Sequence, residues 1–82
     1  MIARTPEEIG AIVRRQRLVL GLDQGTVADE VGVTRQWLIQ LEQGKAGAGL
    51  GLVMKTLAAL DLRLDVREKA RKRKPRAASG GR

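Results

Sequence analysis

At 82 residues the chain has room for one small domain with a modest core. The absence of cysteine, histidine and tyrosine removes disulfides, thiolate metal sites and most acid–base or nucleophilic chemistry, so no enzyme, metal or cofactor is expected. The net charge of +7 sits at one end: residues 1–66 carry eight Lys/Arg and eight Asp/Glu, whereas residues 67–82 carry eight basic residues and one acid, Glu68.

No apolar run approaches the roughly 20 residues that span a bilayer. The N-terminus lacks a basic segment followed by an apolar stretch, so no secretory signal is evident. These features lead us to expect a cytoplasmic protein with no membrane partner.

The first helix is announced by Thr5-Pro6-Glu7-Glu8. Thr5 suits the N-cap, Pro6 the first turn, and Glu8 completes a capping box. Ile9, Ile12, Val13 and Leu20 form an apolar stripe, and Gly21 ends the helix near Leu20. Asp23 suits the cap of a second helix over Gln24–Val31, in which Val27, Ala28 and Val31 recur at helical spacing. Gly32 can take the positive φ of a helix stop, and Thr34 can cap a third helix over Arg35–Gln43. Leu38 and Leu41 form its apolar side. Arg35, Gln36 and Gln40 are left exposed, and such side chains suit base edges in a major groove. Two short helices around a glycine turn make a helix-turn-helix. A plain helical hairpin is the alternative; Gln24 before the motif and the EQGK run after it argue against that.

Gly44–Gly51 holds four glycines in eight residues and reads as a connector, because no phosphate-loop pattern is present. A fourth helix follows, with Leu50, Val53, Met54, Leu57, Ala58 and Leu60 expected to face the core. Leu62-Arg63-Leu64-Asp65-Val66 alternates apolar with polar at the strand period. Nothing downstream can pair with such a strand, and an unpaired strand leaves both edges open. Pairing Leu62, Leu64 and Val66 with the same residues of a second copy closes it across a twofold axis. The alternative is a helix end that runs out into an extended tail. Residues 67–82 have almost no core-forming side chains, so disorder is expected there.

LDQGTVADEVGVTRQWLIQLEQGK, with RRQRLVLG ahead of it, resembles the Cro/C1-type, or XRE, helix-turn-helix family over roughly Glu8–Leu62. The LDLRLDV ending is similar to the HipB-like antitoxins within that family, in which a C-terminal strand pairs between subunits. The resemblance implies an all-α, lambda-repressor-like bundle of four to five short helices. It also implies a C-terminal strand that pairs across a homodimer. Residues 1–66 would form this unit and residues 67–82 a basic tail.

By the same resemblance, Gln24, which opens the second helix, binds a DNA phosphate, as do Gln43 and Lys45 after the third. Arg35, Gln36 and Gln40 read bases; arginine suits guanine and glutamine adenine. Arg17 and Glu42 match a partly buried ion pair that orients helices and does no chemistry. Trp37 either presses on a sugar–phosphate edge or a thymine methyl, or covers the helix packing. Arg14 and Arg15 either reach phosphates or sit in water. The family's Asn-Pro-Ser-like loop is replaced here by Ala46–Gly49, and its helix-ending glycine by Asp61.

The resulting expectation is a DNA-binding repressor of the bacterial nucleoid with a near-palindromic operator. It would be the antitoxin of a HipA-like kinase toxin, repressing its own operon. A stand-alone phage-like or metabolic repressor is a second possibility. A third is a protein-interaction module whose tail, KARKRKPR, binds nucleic acid without regard to sequence through counterion release.

Overall fold

The computed structural model describes residues 2–45 and 47–68. Residues 69–82, on which most of the expected disorder falls, lie outside the described residues. Among the described residues the fold is all-α, with helices α1 (Pro6–Val19), α2 (Gln24–Val31), α3 (Arg35–Glu42) and α4 (Leu50–Ala59).

Local chemistry sets most of the boundaries. Thr5 Oγ1 accepts from the Glu8 N–H at 3.1 Å, and the Glu8 carboxylate accepts from the Arg4 N–H. α1 leaves through Gly21 at φ +71°, with the Leu22 N–H donating to Arg17 O at 3.0 Å and the Gly21 N–H to Leu18 O at 3.1 Å. Paired bonds of this kind satisfy carbonyls that the last helical turn leaves without partners. α4 closes in the same way, with Leu62 N–H on Leu57 O at 2.8 Å and Asp61 N–H on Ala58 O at 3.1 Å. Asp61 takes the glycine's place there at φ +60°. Its short polar side chain makes it one of the few residues that tolerate the left-handed region. α3 stops at Glu42, with Gln43 as its cap.

The core consists of Val13, Val27, Val31, Leu38, Leu41, Val53, Leu57 and Leu60. Each such side chain contributes about 1.5–3 kcal/mol on burial. Two helix faces differ from the apolar pattern of the sequence. On α1, Gly10 and Arg17 are buried, and Leu20 at the cap is 40 % exposed. On α4, Thr56 is fully buried, whereas Leu50, Met54 and Ala58 are exposed. A threonine is tolerated there because its hydroxyl donates to Leu52 O at 2.8 Å on its own helix. The buried stripe therefore runs Val53–Thr56–Leu57–Leu60.

The C-terminal segment also departs from the expected strand. Residues 62–68 form no strand or helix, and among the described residues no backbone hydrogen bond involves residues 63–68. Leu62 packs against the core, while Leu64 and Val66 are exposed.

α1 and α3 cross closely because Gly10 has no side chain. A Cβ at Gly10 would lie 2.4 Å from Leu41 O and 2.7 Å from Glu42 O, both backbone atoms that cannot swing aside. Gly51, in the first turn of α4, has nothing within 4 Å of the same position. Gly10→Ala is therefore expected to destabilise the protein by about 1–3 kcal/mol through overpacking. Gly51→Ala is expected to stabilise it by up to about 1 kcal/mol through helix propensity. Urea denaturation of both variants checks the opposite signs.

Candidate nucleic-acid interface

Two side-chain caps and one glycine place the α2–turn–α3 unit. Asp23 Oδ1 accepts from the Thr26 N–H at 2.7 Å and starts α2. Gly32 ends it at φ +86°, its N–H and that of Val33 both donating to Ala28 O at 2.8 and 3.0 Å. Thr34 Oγ1 then accepts from the Trp37 N–H at 3.0 Å, which starts α3 at Arg35. Only a residue without Cβ turns this corner cheaply.

Leu38 and Leu41 hold α3 to the core. Gln36 and Gln40, one turn apart, stand exposed on the opposite side, and Arg35 is exposed at the start of the helix. The Arg35 guanidinium lies near enough to Asp23 to favour its charged form. Gln24, at the N-terminus of α2, is half-buried. Gln43 and Lys45 are exposed where α3 ends. The exit is fixed by Gly44 at φ +82°, with the Lys45 N–H on Gln40 O at 3.0 Å. A Cβ at Gly44 would lie 2.7 Å from the Glu7 Cα, so α1 presses directly on this turn. Trp37 is half-buried and packs against the core cluster. Arg14 and Arg15 are exposed on α1.

Behind this surface lies a buried polar network. Arg17 Nε donates to Glu42 Oε2 at 2.7 Å, a second guanidinium nitrogen donates to Glu42 Oε1 at 3.0 Å, and the third to Leu22 O at 3.1 Å. The two side chains are 9 % and 3 % exposed. Glu42 raises the Arg17 pKa chiefly by this hydrogen bonding, against the opposing effect of burial. Gln24 Nε2 also donates to Glu42 Oε1, at 3.2 Å. One carboxylate thus ties together α1, α2 and α3. Among the described side chains no buried nitrogen or oxygen lacks a partner.

Gly10, Gln16 and the Gln24–Glu42 bond support this surface without being singled out by the sequence pattern. Gln16 Nε2 donates to Leu60 O at 3.0 Å and satisfies the end of α4. A glycine inside a helical stripe is a signal that a neighbour passes close, and Gly10 carried it. Gln16 and the Gln24–Glu42 bond carried none. Among the described residues no cluster of acidic side chains is placed to hold a metal, and no helix is long and apolar enough to cross a membrane.

No protein-family model matches the chain. It is 35 % identical over 71 residues to an uncharacterised HTH-type transcriptional regulator of Sinorhizobium fredii, covering 87 % of this chain and 93 % of that protein. It is 43 % identical over 49 residues to another such regulator, from Methanothermobacter thermautotrophicus, covering 60 % of this chain and 71 % of the relative. Among solved structures it superimposes on a chain of a HipA–HipB–O2–O3 complex with a TM-score of 0.76 at 17 % identity. That match covers 85 % of this chain and 99 % of the other and establishes a shared fold.

The cap of α2 has a pH signature. The Thr26 backbone N–H holds the Asp23 carboxyl below the usual carboxylate range, helped by Arg17 and Arg35. A depressed folded pKa stabilises the protein above the unfolded value of about 3.9 and loses that contribution as pH falls through the folded value. Asp23→Asn keeps an N-cap acceptor without the charge. Melting temperatures measured from neutral to strongly acid pH should fall less steeply below about pH 4 in this variant than in the wild type.

Proposed function

This chain belongs to the HTH-type transcriptional regulators and has a HipB-like fold, and on that premise we propose that it is a sequence-specific DNA-binding repressor. The observation that carries the reading is the outward face of α3. Arg35, Gln36 and Gln40 stand exposed on a short helix whose other side is locked into the core. Such a helix fits a major groove, where arginine pairs with guanine O6 and N7 and glutamine with adenine N6 and N7. Gln24, at the start of α2, and Gln43 and Lys45, after α3, flank that face and contact phosphates. Backbone contacts of this type set register and affinity without reading sequence. Trp37, packed on the core, presents its remaining exposed surface beside them.

The active species is a homodimer on a near-palindromic operator. The unpaired backbone of residues 63–68 supports this, as do the exposed side chains of Leu64 and Val66. An apolar cleft of about 450 Å³ lies alongside, lined by Ile2, Ile9, Ile12, Leu57, Leu62 and Leu64 among others. A second copy that supplies Leu62, Leu64 and Val66 as a paired strand closes both. Two recognition helices then enter successive major grooves about 34 Å apart. The basic residues of 69–82 add sequence-independent affinity. Work on DNA places the protein in the cytoplasm, at the nucleoid.

The structural neighbour comes from a HipA–HipB–O2–O3 complex, and this supports a finer reading. The chain is the antitoxin of a type II toxin–antitoxin operon, neutralising a HipA-like kinase and repressing its own promoter.

Fluorescence anisotropy of the full chain with duplex DNA from upstream of its own gene, against scrambled competitor, tests the DNA reading. Arg35→Ala should cost about 1–3 kcal/mol on the preferred site and relax selectivity at one base pair. An equal loss on all duplexes would remove Arg35 from base reading.

A further inference from the structure

The Gln24–Glu42 hydrogen bond has chemical consequences that the ion pair alone does not. A carboxylate only accepts, so of the two ends of the Gln24 amide only the NH₂ end is compatible with Glu42 Oε1 at 3.2 Å. Two guanidinium hydrogen bonds from Arg17, at 2.7 and 3.0 Å, hold that carboxylate in turn. With Glu42 only 3 % exposed and engaged by Arg17, the anchor has little freedom to rotate. A glutamine on an open helix terminus samples many rotamers and both amide orientations. Gln24 is restricted in both by a group on another helix.

We propose that Glu42 is a positioning residue for Gln24: it commits one N–H of the amide and so leaves the second N–H as the side chain's fixed donor to a DNA phosphate. The inference rests on the reading of Gln24 as a phosphate contact. It gives the Arg17–Glu42 pair a role in binding as well as in folding. An ordered donor pays less entropy on meeting its phosphate, and the wrong amide face, which would repel it, is not presented. The same carboxylate links the phosphate contact to the α1–α3 crossing.

The test is a double-mutant cycle on the full chain, using a fluorescein-labelled duplex from upstream of its own gene. Glu42→Gln preserves shape but removes the charge that selects the amide NH₂ end. If Glu42 acts through Gln24, Glu42→Gln weakens binding about 3- to 10-fold when Gln24 is present. The same change made on a Gln24→Ala background then weakens binding less than about twofold. Equal losses on both backgrounds would show that Glu42 acts only through the fold, and would overturn the proposal. Failure of the wild type to bind any such duplex would instead sink the DNA-binding reading, and the proposal with it. Should Glu42→Gln fail to fold, side-chain amide NMR of the wild type decides the matter. One Gln24 Hε proton must exchange with water measurably more slowly than the other; equal exchange of the two overturns the proposal.

Discussion

The arrangement of the first three helices depends on one buried carboxylate. Glu42 receives two guanidinium hydrogen bonds from α1 and an amide hydrogen bond from α2, while a third Arg17 nitrogen donates to Leu22 O in the α1–α2 turn. Removing two charges from water is expensive, so the pair adds little net stability over a well-packed apolar replacement. Removing one partner is another matter, since it strands a buried charge at a cost of about 3–5 kcal/mol. The network is best understood as specifying geometry: few relative placements of the helices satisfy every donor at once. Gly10 makes those distances reachable, because any side chain there meets the α3 backbone before Arg17 meets Glu42.

This division of labour suits a DNA reader with an uncharged body. Residues 1–66 carry no net charge, so long-range attraction to DNA does not come from the folded unit as a whole. What that unit offers is a polar surface held in fixed register. The charge excess lies in residues 67–82, and electrostatic affinity from such a segment carries no sequence information. On the proposed function, specificity and affinity are thereby separated along the chain.

Much of the fold was legible in the sequence where a single residue type has a single local use. Thr5, Asp23 and Thr34 announced three helix starts, and Gly21, Gly32 and Gly44 stand at three exits. The bounds of α2 followed from Asp23 and Gly32 alone. The exposed polar face of α3 was legible too, because Leu38 and Leu41 leave only one side of a short helix for polar residues. Illegible were buried polar groups and contacts between elements. Thr56 is polar and falls outside the apolar pattern, yet its hydroxyl is satisfied inside its own helix and it is buried completely. Gln16 was ordinary in the pattern and caps α4 from another helix. The alternation of residues 62–66 has a strand's period, but a period creates no partner, and a single chain supplies none among the described residues.

The most direct test is amide chemical-shift mapping of the full-length protein as duplex DNA from upstream of its own gene is added. The perturbed residues should cluster at Gln24, Arg35, Gln36, Gln40 and Lys45, leaving α4 and the cleft around Ile12 unchanged. Shifts confined to residues 67–82, equal for promoter and scrambled duplexes, would contradict sequence reading by α3.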